Sequence, residues 1–330
     1  MMMRTTMLLG LSLLALAIPQ PAFAWGQRGH EAIDRAALAT LPADGPRFLQ
    51  RYADYIGESA TMPDGWRGSS EPFSKIEEDP NHTWFVERLA FLNPVPRSRY
   101  AFVLALYREH LRVAKRDAKA AERLNVRWTG TLPFAVMEGY GRLVAGMRTL
   151  RAKQARGEPT AHVEQSLAFD VARMAHYIGD GAQPHHASIH CEGWFGANPK
   201  GYARDGSIHG RFESDYVEAI GLTPADLIGR IGAPEHQSGD LFDAVLDFLG
   251  SSARDVETIF VLDKRGALAD PADVEGRAFV HKRAAAGAAM LRDLLTRAWK
   301  ESAAPGKGER RPQDPSHPAF DPETGTAPAA

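Results

Sequence analysis

The chain has one cysteine, Cys191, so no intramolecular disulfide can form, and cysteine-based zinc fingers and redox pairs are excluded. That thiol reads as a small buried side chain. A basic surplus is also missing. With 39 Lys plus Arg against 41 Asp plus Glu the formal net charge is −2, which argues against holding nucleic acid by bulk positive charge. An anionic substrate must then be met by local charge, for example by metal ions. Beyond residue 24 no apolar run approaches membrane-spanning length, and alternating strand-like runs are hard to find. There is no Gly-rich phosphate loop ending in Lys-Ser/Thr and no nucleophile elbow, so nucleophilic Ser or Cys catalysis has no support. His30-Glu31 opens like a zincin helix, but Asp34 stands where the second His is needed.

What is present begins with a leader. Arg4, the apolar run Met7 to Ile18 and the small residues of Ala22-x-Ala24 read as a secretory signal peptide over 1–24. The mature chain is expected to begin at Trp25, soluble and secreted or periplasmic. Apolar content of 44% suffices for a sizeable core. Helical spacing recurs in Ile33-Ala37-Leu41, in a long charged stretch Phe102 to Leu124, and in Val136-Tyr140-Leu143-Met147-Leu150 behind Pro133. It returns in Val163-Leu167-Val171-Met174-Ile178, in Leu241-Val245-Leu249 and in Leu291-Leu294-Leu295. The expected fold is all-α: one multi-helix domain over 25–302, followed by a disordered Pro-rich tail over 303–330. The Gly-, Pro- and Asn-rich stretch from His186 to Ser207 reads as a long loop between helices, a frequent place for function.

The chemistry concentrates in "HYIGDGAQPHH". On a helix continuing from Val163, His176 and Asp180 lie four apart on one face and converge on one point, as a zinc ion requires. Gly179, Gly181 and Pro184 then turn the chain and let His186 approach from another direction. A second pair four apart, His209 and Glu213, follows in "HGRFE". Upstream, Asp64 and His82 lie near turn-forming residues, and with His30 the set holds five His and three carboxylates, nitrogen and oxygen donors that suit zinc. One such pair is commonly a surface hydrogen bond; two pairs plus His186 shift the balance toward a metal. His110, His162, His236, His281 and His317 read as solvated or locally bonded, and spacing alone selects neither His185 nor His190.

Trp25-Gly26-(x3)-His30, the Asp64 and His82 turns, "HYIGDGAQPHH" and "HGRFE" together resemble the S1/P1 nuclease and zinc-dependent phospholipase C superfamily, in that family's order. The resemblance implies an all-helical fold of the phospholipase C/P1 nuclease type with three zinc ions. It implies one zinc on Asp64, His82, His176 and Asp180, and a second on His186, His209 and Glu213. The third would sit on His30, Asp180 and the free α-amino nitrogen and carbonyl oxygen of Trp25, with Asp180 bridging. The implied chemistry is hydrolysis of a phosphodiester by metal-activated hydroxide, with Asp64 and Asp180 as the catalytic carboxylates. Three dications would also supply the local positive charge that the composition lacks.

The resemblance divides over the substrate. The short Trp25-to-His30 spacing and the long His186-to-His209 interval resemble the nucleases, which act on single-stranded DNA and RNA. Glu213 and "HGRFESDYV" resemble the phospholipases, which act on phospholipid head groups. Family members usually carry an aromatic directly after the equivalent of His82; here it is Thr83, with Trp84 and Phe85 beyond. Trp84, Phe85, Trp66 and Trp194 are either base-stacking or core aromatics. A different class of reading is a non-catalytic zinc-binding envelope protein that keeps the ions as a folding staple.

Overall fold

In the computed structural model, which describes residues 25–68, 71–236 and 238–304, the helical periods of the sequence become packed helices. The expected signal peptide over 1–24 lies outside the described residues, as do the Pro-rich tail from 305 onward and His317. Five principal helices build the frame: α1 (Gly26–Ala39), α2 (Leu132–Ala155), α3 (Ala161–Ala182), α4 (Leu241–Arg254) and α5 (Val274–Glu301). Among the described residues there is no strand, only an isolated antiparallel bridge between Trp84 and Gly130. The chain is an all-α, multi-helix single domain.

Each helix starts and packs for legible reasons. Pro133 sits in the first turn of α2, where its missing N–H costs nothing. Asp240 and Asp273 cap α4 and α5, their Oδ1 atoms accepting from the amides of Asp243 at 3.0 Å and Gly276 at 2.7 Å. The apolar faces of α2 and α3 pair as a helical hairpin, α5 lies across both, and α1 packs on α5 and α3. Buried Arg283 of α5 donates from Nε to the Ala182 carbonyl at 2.8 Å, satisfying an end group of α3 that would otherwise be orphaned.

Two expectations are corrected. The long helix expected over Phe102 to Leu124 stops at Ala114, because Asp117 caps a separate turn, Ala118–Ala121, by accepting the Ala120 amide at 2.9 Å. His281, expected to be solvated or locally bonded, is buried on α5 with its Nε2 unpartnered. The stretch between His186 and Ser207 does run without an α-helix, as expected.

Candidate metal centre

The structure gathers eight of the singled-out side chains, from five parts of the chain. His30 comes from α1, Asp64 from the short helix Met62–Gly68, and His82 from the end of the 3-10 turn Asp79–His82. His176 and Asp180 lie one turn apart near the end of α3, and His186 in the 3-10 turn Pro184–Ala187 just beyond it. His209 ends a one-turn helix that widens into a π-turn, Arg211–Tyr216, carrying Glu213; π-turns recur at functional sites. None of the eight is more than 5% exposed. Their donor atoms form three groups, each within 4.8 Å: His30, His176 and Asp180; Asp64, His82 and His176; and His186, His209 and Glu213.

Three of the five histidines have their outward nitrogens tied down by backbone carbonyls. His176 Nδ1 donates to the Ala60 carbonyl at 2.9 Å, His186 Nδ1 to the His82 carbonyl at 2.6 Å, and His209 Nδ1 to the Cys191 carbonyl at 3.1 Å. His82 Nε2 faces the Glu78 carboxylate at 3.3 Å. In neutral rings so oriented the inward nitrogens carry lone pairs. Yet His186 Nε2 and His209 Nε2 stand 3.1 Å apart, with Glu213 Oε2 2.7 Å from the latter. Likewise His82 Nδ1 lies 3.0 Å from His176 Nε2 and 2.8 Å from Asp180 Oδ2. Acceptors facing acceptors at these distances require extra protons or a cation between them, and outward hydrogen bonds of this kind are how proteins orient metal-binding imidazoles.

Unpartnered buried atoms point the same way. Both nitrogens of His30, Asp64 Oδ2, Asp180 Oδ1 and Glu213 Oε1 are buried without a hydrogen-bond partner, a costly arrangement unless another ligand completes it. Burial alone raises a carboxylate's pKa, but the imidazoles around it, His176 and His186 and then His30 and His82, hold Asp180 well below the usual range. Burial pushes His176 well down, which keeps its ring neutral. These buried His/Asp/Glu clusters are consistent with a multinuclear metal site.

Trp25, the ninth expected residue, is fully buried next to this centre. Its indole Nε1 donates to the Gly179 carbonyl at 2.8 Å and its ring packs on Phe212 at 5.7 Å between centroids. Its backbone is left-handed, with φ 55°, uncommon for a residue with a side chain, and its carbonyl accepts the Gly29 amide at 3.0 Å. Its backbone nitrogen is bonded to residue 24, outside the described residues.

The centre opens onto a cleft of about 820 Å³ to which His186 and His209 both contribute. Arg67, three residues after Asp64, lines it and holds Asp64 Oδ1 from Nη2 at 2.8 Å. Arg88, Arg123, Arg127 and Arg204 line it as well. So a near-neutral protein concentrates five guanidiniums in one cleft, a feature the sequence reading missed. Only the Asp64–Arg67 spacing offered a signal; the other arginines are scattered. Cys191 is buried as expected, with its Sγ 3.3 Å from His209 Nδ1.

Other candidates fall outside the three groups. His185 is buried with both nitrogens unpartnered and its ring 5.1 Å from that of His209, and His190 stacks on Trp194. Trp84 packs in the core against Phe102 and Phe134, while Phe85, Trp194 and Thr83 reach the cleft. Trp66 packs near Phe169. Neither His110, which bonds the Ala121 carbonyl at 2.8 Å, nor His162 nor His236 joins the centre. Comparison of the chain with protein-family models, with curated proteins and with solved structures found no match.

Proposed function

We propose that this chain is an exported zinc-dependent phosphodiesterase of the S1/P1 nuclease and zinc-dependent phospholipase C type, cleaving single-stranded DNA or RNA. The observation that carries the reading is the inward-facing acceptor sets, His186, His209 and Glu213 beside His82, His176 and Asp180, opening onto an arginine-lined cleft. Imidazole and carboxylate donors without a thiolate suit zinc. A tetrahedral zinc with bonds of about 2.0–2.1 Å needs donors on the order of 3.3 Å apart, close to the nitrogen separations found. The proposed ligands are Asp64, His82, His176 and Asp180 for one ion, and His186, His209 and Glu213 for a second. His30, Asp180 and the Trp25 backbone would hold a third. Export rests on the leader over 1–24 and the free amino terminus that cleavage after Ala24 would create.

When bound, zinc ions supply Lewis-acid charge to phosphoryl oxygens and lower the pKa of water from about 15.7 to about 7. The chain's own groups supply the rest. Asp64 Oδ2, buried and unpartnered, is the acceptor for a proton released by attacking water. Arg67, fixed on Asp64 Oδ1, lines the cleft and places its positive charge beside the centre, where a non-bridging phosphoryl oxygen would develop charge. Asp180, in contact with both His82 and His30, would offer one oxygen to each of two donor groups.

One observation favours the phospholipase reading: a second cavity of about 480 Å³, lined by Phe91, Val113, Leu124 and Ile189, adjoins the cleft at Arg88 and Arg123 and would take an acyl chain. The deciding experiment is metal analysis of the mature protein, then incubation with single-stranded nucleic acid and, separately, phosphatidylcholine vesicles. Turnover of the former supports the nuclease. Bound zinc with no hydrolysis of either sinks both readings in favour of a non-catalytic zinc protein.

A further inference from the structure

The five cleft arginines are not alike. Arg67 and Arg127 have carboxylate partners, Asp64 and Asp79. Arg88 and Arg123 make no ion pair among the described residues, and they neighbour each other: Arg88 Nη1 donates to the Arg123 carbonyl at 3.2 Å. The Nε of Arg88 is buried without any partner. Burial and then the adjacent Arg123 charge push the Arg88 pKa down, and the neighbouring Glu87 carboxylate only partly offsets them. Trp128 organises the neighbourhood. The guanidinium of Arg123 lies 4.3 Å from its ring centroid and that of Arg127 5.3 Å, so the ring orients both planar groups, that of Arg123 without a carboxylate partner among the described residues.

This cluster is fastened to the metal centre through backbone. Trp84 N donates to the His186 carbonyl at 2.8 Å, and the next amide, Phe85 N, donates the other way, to the Thr129 carbonyl at 2.9 Å. The backbone at Thr129, next to Trp128, is therefore two hydrogen-bonded backbone spacings from that at His186, on the order of 10 Å. Gly130 makes that fit possible: at φ 87° it lies so close to Thr83 that an added Cβ would stand 1.8 Å from the Thr83 carbonyl oxygen.

We propose that Arg123 and Arg127, arranged on Trp128, together with Arg88 beside Arg123, form a second phosphate subsite that binds another backbone phosphate of the strand being cleaved, so that the favoured substrate is a polynucleotide chain rather than an isolated diester. The proposal rests on the phosphodiesterase reading above. A flexible strand can bring a second phosphate to this cluster while another lies at the centre, and neighbouring guanidiniums without a direct ion pair, Arg88 and Arg123, fit phosphate through bidentate bonds. The exposed Phe195 on the same wall offers an adjacent base a ring face.

The test compares zinc-loaded wild type with R88Q/R123Q and with the charge-preserving R123K. Substrates are bis(p-nitrophenyl) phosphate, too small to reach the subsite, and oligothymidylates of two, four and eight nucleotides at several salt concentrations. Wild type should show KM falling with length. R88Q/R123Q should lose about tenfold of that length advantage, and its log KM against log salt slope should flatten by about 0.7 for each phosphate contact removed. R123K should keep the salt slope. An equal length advantage in wild type and double variant, or none in wild type, overturns the subsite. So does selective loss of phosphatidylcholine-vesicle hydrolysis in the double variant. Failure of wild type on bis(p-nitrophenyl) phosphate and on every oligothymidylate would instead overturn the phosphodiesterase reading.

Discussion

The ring of His30 rests on the bare Cα of Gly179, where a Cβ would stand 2.5 Å from Nδ1. The same residue's carbonyl receives the Trp25 indole, so one turn of α3 seats both expected amino-terminal contributors beside Asp180. Gly179→Ala should displace His30, reduce bound metal by about one equivalent, and cost about 1–3 kcal/mol through overpacking. Inductively coupled plasma mass spectrometry and urea denaturation would check it. Unchanged metal content would refute the seat.

Removing metal should cost stability heavily, because buried acceptors would again face each other. A chelator is expected to lower the melting temperature by 10 °C or more, on the order of several kcal/mol for a domain of this size. Zinc should restore it. Alanine at His209 should show a much smaller chelator-induced shift than the wild-type protein. A wild-type melting curve indifferent to chelation would contradict the proposed centre.

Gly130→Ala should be more damaging than a typical surface change. Its methyl collides with the Thr83 carbonyl, an atom that also accepts the Leu132 amide at 3.1 Å, so backbone must move. A loss of about 3 kcal/mol or more is expected. Hydrogen exchange should speed up at Trp84 and Phe85, and faster exchange confined to 126–132 would argue against the link.

Asp34 offers a pH test away from the cleft. It is buried with both oxygens unpartnered, and burial, then the Glu31 charge, raises its pKa well above the usual value. The unfolded chain ionises it near 3.8, while the folded chain keeps its proton to higher pH, so the native state binds more protons and stability falls as pH rises through that window. Asp34→Asn removes this penalty. Its midpoint in urea should exceed wild type at pH 7 and approach it near pH 4. A variant less stable at pH 7 would reveal a partner for the carboxylate.

Much of the centre was legible because its pairs sit at helical spacing: His176 with Asp180 and His209 with Glu213 meet as four-residue neighbours must. The order of motifs added His30, Asp64, His82 and His186. Unreadable was the arginine-lined wall of the cleft, which is assembled from separate parts of the chain. Arg88, Arg123 and Arg204 carry no pattern, since a lone arginine in sequence looks like any solvated one. Trp128 gains meaning only from the two guanidiniums upon it, and Trp84, a candidate for stacking, is core because Phe102 and Phe134 enclose it. The early stop of the Phe102 helix turned on one capping aspartate, a local preference that outcompeted the longer periodicity.

The long-range ties around the centre also bear on divisibility. His186 meets the His82 carbonyl across 104 positions and Trp25 meets the Gly179 carbonyl across 154, so no short contiguous stretch contains the site. Closing such large loops is affordable only with the whole core behind them. No excised fragment should reproduce the donor geometry, and the chemistry is inherited as an entire chain or not at all.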